Sequence, residues 1–140
     1  MSNELIFLLA TLVEVIVVFI AARLGREWLL GTIAINLILI GIFGAKLISV
    51  FGLVTNVGNV FYACVFLATH FFIERHGKNA AWQTIWFGVG SVVFFTVMSQ
   101  FAVNYNGSLL SDATNSASAT LFSFSPRVIS ASILAYVFAQ

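Results

Sequence analysis

Two apolar stretches joined by a short run of charged residues, within residues 60–86, constrain the fold of this chain most strongly. The first stretch ends in Glu74, Arg75 and His76, and the second begins soon after Lys78. A polytopic membrane protein changes direction in this way at a lipid surface, because charged side chains avoid hydrocarbon while apolar helices enter it. The pattern therefore predicts a chain that crosses a bilayer several times.

The composition excludes an ordinary soluble domain. Of 140 residues, 61% are hydrophobic and 8% are charged, whereas a soluble domain carries about 25% charged residues. The net charge of +1 provides no field that would attract nucleic acid, so we expect no nucleic-acid partner. The single cysteine, Cys64, lies in an apolar run and is interpreted as a small packing residue.

A spanning helix needs about 20 predominantly apolar residues. The N-terminus lacks the positive charge of a secretory signal, so we expect the first apolar run to be retained as a helix. The sequence thus predicts a single all-α transmembrane domain, residues 1–140, built as a bundle of about five helices. The predicted spans are 5–22, 28–50, 57–73, 81–103 and 121–140.

Residues 104–120 form the one marked shift in composition, since they are rich in Ser, Asn, Thr and Gly. An unpaired backbone is not tolerated in hydrocarbon. We therefore expect this segment to be a loop that lies in water or lines a vestibule.

The cations indicate an orientation. Arg23 and Arg26 follow the first predicted span, and Arg75 and Lys78 follow the third. Because cytoplasmic loops carry an excess of Lys and Arg, these connections are predicted to be cytoplasmic. With five spans, the N-terminus then lies outside a cell membrane that the chain crosses several times.

Glu14 lies near the middle of the first predicted span, with apolar neighbours on both sides. A charged group at mid-membrane costs about 2.5–3.5 kcal/mol on insertion scales, so such a residue is expected to be paired, hydrated or used. Proton coupling or contact with a solute is one interpretation. A hydrogen bond between helices or subunits is the other.

His70 and Glu74 are four residues apart and share one helical face. Such a pair could supply half of a metal site, but no second His/Glu pair is present to complete it. We therefore expect a hydrogen-bonded pair or a contact with a polar ligand, and no metal or other cofactor. Nothing in the sequence forms a usable catalytic arrangement, so an enzyme is not expected.

Three amides also interrupt apolar segments. In lipid such groups hydrogen-bond across helix interfaces, so adhesion between helices is the simplest interpretation. They are Asn36, Gln100 and Gln140.

Three stretches carry a resemblance to a known family. They are GAKLISVFGL at residues 44–53, FLATHFFIERHGKNAA at 66–81 and SPRVISASILAYVFAQ at 125–140. The chain resembles the vitamin uptake and queuosine-precursor transporter family, whose characterised members import 7-deazaguanine bases. The resemblance implies a polar cavity lined by Lys46, Glu74, Arg127 and Gln140, to which the polar positions Glu14 and His70 are added as candidate substrate contacts.

The sequence also departs from the family's pattern. The family usually has Asp where this chain has His70, and Asn where it has Gly41. Family members also continue past the position of Gln140 into a further helix. Either the ligand differs from that of the relatives, or the fold is kept without transport.

Two functions are therefore carried forward. One is a small-molecule uptake carrier in the bilayer. The other is a non-transporting structural subunit of a larger membrane complex, and in either case we expect other membrane subunits or a homo-oligomer. A cavity that reaches mid-membrane beside Glu14, Lys46 and Arg127 would favour the carrier.

Overall fold

The computed structural model describes residues 2–77, 79–104 and 112–123, together with residues 130, 131, 134 and 138. Within these residues the chain forms helices and one antiparallel hairpin, so the predicted all-helical membrane bundle is confirmed in class, with a small sheet added. In chain order the elements are α1 (Asn3–Leu24), α2 (Arg26–Phe43), β1 (Leu47–Val50), β2 (Leu53–Asn56), α3 (Gly58–His76), α4 (Ala80–Asn104) and α5 (Asp112–Ser123).

The bounds of α1 follow from its sequence. The Ser2 hydroxyl accepts a hydrogen bond from the Leu5 amide at 3.4 Å, which satisfies one of the amide groups that a helix start leaves free. The helix stops at Gly25, whose φ of 122° is rarely adopted by residues with a side chain. Because α2 begins at the next residue, the chain turns sharply here and the two helices pack together.

The central helix of the bundle is α2. It packs against α1, α3 and α4, and it has buried side chains along its whole length. A helix that is apolar all round is normally buried, and Leu29 and Ile33 in its first half are fully inaccessible. In contrast, α1 lies at the edge of the described bundle and leaves most of its large apolar side chains exposed.

By length and composition, three of the described helices can cross a membrane: α1, α2 and α4. Helix α3 has 19 residues but carries four ionisable side chains in its last two turns, from His70 to His76. The predicted spans 5–22 and 81–103 lie within α1 and α4, and 57–73 falls on α3 except for its first residue. The span at 121–140 lies mostly outside the described residues, so the count of five stays a prediction.

The second predicted span, 28–50, is wrong at its end, because α2 stops at Phe43 and the chain turns into the β hairpin. Val50 pairs with Leu53 across a two-residue turn in which Phe51 and Gly52 both have positive φ, 52° and 78°. Turns of this kind match the twist of paired strands. The apolar character of 47–54 hid the hairpin, since short apolar runs do not distinguish a strand from a helix.

The predicted loop at 104–120 is wrong in its second half, where α5 runs from Asp112 to Ser123. Alternating Ala and Ser residues support a helix well enough once it packs against a neighbour. That neighbour is α4, because the Gln100 amide donates to the Phe122 carbonyl at 3.2 Å and the Phe95 and Phe122 rings meet edge to face.

The bundle has two chemically different ends. At the arginine end (Arg23, Arg26 and Arg75), Arg26 donates to the Gln83 side chain at 2.6 Å and Arg75 donates to the Ala22 carbonyl. These contacts join the end of α1, the start of α2, the end of α3 and the start of α4. The opposite, hairpin end consists of residues 44–57 with the start of α1. Lys78 lies outside the described residues, and the membrane side that each end faces stays a prediction.

Candidate functional site

Two adjoining cavities lie beside α1, and we call them together the α1 cleft. The inner cavity has a volume of about 350 Å³ and is lined by Ile6, Leu9, Ala10, Val13, Glu14 and Phe61. The outer cavity, about 330 Å³, also contacts Ile6, Ala10 and Phe61, and it extends to Asn3, Lys46 and the base of the hairpin. Because the two cavities share three walls, the cleft leads from the hairpin end towards the middle of α1.

Glu14 is the one ionisable residue that lines the inner cavity. Its carboxyl oxygen Oε2 is buried and has no hydrogen-bond partner among the described residues. Ten residues separate Glu14 from Leu24, about 15 Å along the helix, which is half the thickness of a bilayer's hydrocarbon core. The carboxyl therefore lies at mid-membrane depth if α1 spans the bilayer.

Lys46 lines the outer cavity at the hairpin end, with an exposed side chain. Its backbone is fixed on both sides, since its amide donates to the Phe43 carbonyl and its carbonyl accepts from the Val57 amide, each at 3.0 Å. The hairpin is also tied to α1, because the Asn3 amide donates to the Ser49 carbonyl at 3.1 Å. The backbone from which the Lys46 side chain extends is thus fixed near the mouth of the cleft.

Aromatic side chains form one wall of the cleft. The rings of Phe43 and Phe61 are stacked with centroids 6.0 Å apart and planes inclined at 28°. Phe61 borders both cavities, and Phe43 borders the outer one. A flat apolar wall beside a carboxyl and an ammonium group suits a planar solute with polar edges.

His70 and Glu74 are placed elsewhere. Both side chains are exposed on α3, and neither lines the α1 cleft. Glu74 lies about 24 Å along the helix axis from Gly58, at the arginine end, whereas Lys46 lies at the hairpin end. Glu14 and Lys46 therefore line adjoining cavities of the α1 cleft, which His70 and Glu74 do not line. Arg127 and Gln140 lie outside the described residues.

No group of three His, Cys, Asp or Glu side chains that could hold a metal ion occurs in the part of the chain that the structure describes. His76 contacts the Phe72 carbonyl through Nδ1 at 3.0 Å, and its ring lies 4.7 Å from that of Phe72. This histidine therefore orders the end of α3 and does not face His70 or Glu74.

Several residues of the site were missed by the sequence. Asn3, Phe43 and Phe61 line the cleft, yet nothing distinguished these phenylalanines from the others in the chain. The polar atoms Asn36 Oδ1 and Thr69 Oγ1 are buried without a partner among the described residues. The position of Asn36 within an apolar run was visible, but the missing partner depends on the packing of α2.

The long apolar helices are those of a multi-pass membrane protein. The chain belongs to the family described as "Putative vitamin uptake transporter", whose model matches residues 56–140. Helices α3, α4 and α5 fall within this matched part, as do His70 and Glu74. Glu14 and Lys46 precede it.

The chain is also similar to a curated protein of Bacillus subtilis (strain 168) named "Probable queuosine precursor transporter". The two are 34% identical over 95 residues, which cover 68% of this chain and 41% of the relative. The chain thus spans about two fifths of that relative's length. No solved structure shows significant similarity to the chain.

Proposed function

We propose that this protein is a carrier for the uptake of a small solute, and that the α1 cleft is part of the solute's route. The observation that carries the proposal is the Glu14 carboxyl, whose Oε2 is buried without a partner among the described residues, beside a cavity in a member of an uptake transporter family. Membership of that family favours the carrier over a non-transporting subunit.

The proposed solute is a 7-deazaguanine base of the queuosine-precursor type. Such a base is flat, so it can lie against Phe61, and its edges carry N–H donors and a carbonyl acceptor. A carboxylate accepts from the donors, and an ammonium group donates to the carbonyl. Ile6 lines the outer cavity together with Lys46, and Glu14 lies about 12 Å farther along α1. Lys46 at the mouth and Glu14 farther in would therefore be successive contacts for the solute.

The predicted contacts at His70, Glu74, Arg127 and Gln140 are kept within the proposal. His70 and Glu74 lie near the arginine end, on the opposite half of a route that begins at the hairpin. A carrier exposes its site to each side in turn, so contacts in both halves of the bundle are consistent with transport. Assembly with other membrane subunits or with a second copy stays a prediction, which native mass spectrometry in mild detergent would test.

Uptake of a radiolabelled 7-deazaguanine base into proteoliposomes tests the proposal. We expect Lys46→Ala to lower uptake about tenfold, because a hydrogen bond to a charged group contributes roughly 1.5–3 kcal/mol. Arg23→Ala is the matched control, since it removes one cation from the other end of the bundle. Equal uptake by Lys46→Ala and the unaltered protein would argue against the α1 cleft, and absence of uptake by the unaltered protein would argue against the carrier.

A further inference from the structure

The Glu14 carboxyl is the starting point for an inference about energy coupling. The residue is half-buried near the middle of α1, and its Oε2 is buried without a partner among the described residues. No cation among the described residues lines the inner cavity beside this carboxyl, and in apolar surroundings a neutral, protonated carboxyl is favoured over an ionised one. We propose that Glu14 binds and releases the proton whose movement drives solute uptake. This inference rests on the proposed carrier function.

The groups around Glu14 support protonation over ion pairing. The other residues that line the inner cavity are all apolar. From α3, the Cys64 thiol lies within electrostatic range of the carboxyl, and a thiol supplies no positive charge. The remaining ionisable groups of α3 are Tyr62, whose ring packs on Phe66, and the side chains from His70 to His76 near the arginine end.

The two other elements that pack against α1 place their charges away from Glu14. On α2 the ionisable residues are Arg26 and Glu27, both in the first turn of the helix at the arginine end. Beside β1, Lys46 lines the outer cavity but not the inner one. The nearest described cation on the cleft is therefore separated from the carboxyl by the shared wall of Ile6, Ala10 and Phe61.

This arrangement gives a balanced proton cycle. When the cleft opens to water on one side, the Glu14 carboxylate takes up one proton and becomes a neutral carboxyl. In that form it is compatible with the apolar side chains that line the inner cavity. When the site opens to the other side, the O–H bond breaks, the proton passes to water and the carboxylate is restored. The empty carrier then returns to the first side with Glu14 still ionised, so one proton crosses with the solute in each completed cycle.

Carbodiimide labelling tests the proton site without any transported solute. Dicyclohexylcarbodiimide is apolar, enters membranes and adds to protonated carboxyl groups, so it should modify Glu14 in the full chain reconstituted in phospholipid vesicles. Peptide mass spectrometry should show modification at Glu14 that declines at alkaline pH, while Glu4 and Glu27 near the helix ends stay largely unmodified. Glu14→Gln should lose the label. Absence of label at Glu14 at every pH would overturn the proton site.

Transport measurements then separate coupling from carriage. In proteoliposomes a tenfold proton gradient, acid on the uptake side, can drive up to about tenfold accumulation when one proton moves with each solute molecule. We expect this accumulation in the unaltered protein with a labelled 7-deazaguanine base, a partial response in Glu14→Asp, and none in Glu14→Gln. An inward sodium gradient at equal pH should drive no accumulation.

Exchange of labelled for unlabelled base needs no gradient, so it reports the carrier alone. Exchange by Glu14→Gln with loss of gradient-driven accumulation would support the inference. Accumulation by Glu14→Gln equal to that of the unaltered protein, or accumulation that follows sodium, would overturn the inference but leave the carrier standing. Absence of exchange in the unaltered protein would overturn the proposed function, and the carbodiimide result would then still decide whether Glu14 is a proton site.

Discussion

At the scale of single residues, the chain contains polar atoms for which the surrounding helices supply no partner. Asn36 is 2% exposed, and its amide nitrogen donates to the Thr32 carbonyl at 3.0 Å, but Oδ1 is unpaired among the described residues. A buried acceptor without a partner costs about 1–3 kcal/mol relative to a satisfied one. A substitution that removes such an atom should therefore raise the free energy of unfolding, unless the atom has a functional partner.

We expect Asn36→Leu to stabilise the protein by about 1 kcal/mol, because leucine has the same branching and number of side-chain heavy atoms and leaves no unpaired acceptor. Thermal unfolding in detergent would measure the change. Asn36→Asp is the contrasting variant, and it should destabilise the protein because it buries a charge. A lower unfolding midpoint for Asn36→Leu would indicate that Oδ1 has a partner in the membrane.

The site was only partly predictable at this scale. Glu14 and Lys46 could be named as candidates because a charge in or beside an apolar segment is rare enough to require an explanation. His70 and Glu74 were predicted to share a helical face, but their distance from Glu14 depends on how α3 packs against α1. Phe61 could not be singled out, since only the folded chain shows which aromatic side chain borders a cavity.

At the scale of elements, the β hairpin is the feature that most alters the expected bundle. Phe51 adopts a positive φ, which is uncommon for a residue with a bulky side chain, and Gly52 follows with another. The side chains of Phe51, Leu53 and Val54 are largely exposed. Contacts of these side chains with other described residues therefore do not explain the turn. Its conformation is set mainly by the backbone angles that Phe51 and Gly52 adopt.

Gly52→Ala should destabilise the protein by about 1 kcal/mol, since a side chain in left-handed backbone costs roughly 1–2 kcal/mol. Phe51→Gly should have the opposite effect for the same reason. Unfolding midpoints of the two variants, measured side by side in one detergent, would test the pair. A shift of the same sign in both would show that side-chain contacts outweigh the backbone.

The helices were predicted more successfully than the turns. Spans at 5–22 and 81–103 lie within observed helices because long apolar runs permit few other structures. The end of the second span was missed because the two strands, LISV and LVTN, are short and largely apolar, so their sequences also suit a helix. Only their pairing with each other identifies them as strands. Helix α5 was missed because its composition is typical of loops, whereas its contacts with α4 favour a helix.

At the scale of the whole molecule, the charges divide between two ends of the bundle. Arg75 and Arg26 make contacts at one end, and Lys46 and the hairpin lie at the other. If the positive-inside rule sets the orientation, the arginine end is cytoplasmic and the hairpin faces outward. The mouth of the α1 cleft would then open towards the side from which an uptake carrier collects its solute.

Cysteine accessibility in a Cys64→Ala background would test this orientation. Arg23→Cys and Arg75→Cys should react with a membrane-impermeant maleimide only after the membrane is permeabilised. Ser49→Cys in β1 should react in intact cells. The opposite labelling would invert the predicted topology. If Arg23→Cys and Arg75→Cys reacted on opposite sides of the membrane, that result would contradict the described bundle.

The hydrogen bond from Arg75 to the Ala22 carbonyl also sets an order of events during biosynthesis. The two residues are separated by 53 positions, so the last turn of α1 is synthesised well before the side chain that completes it. At about 5–20 residues per second, roughly 3–11 seconds pass between them. During that interval α1 stands in the membrane without α3, and Glu14 has lipid or an insertase beside it in place of its later neighbours. The first helix therefore waits longest for the neighbours that cover its side chains.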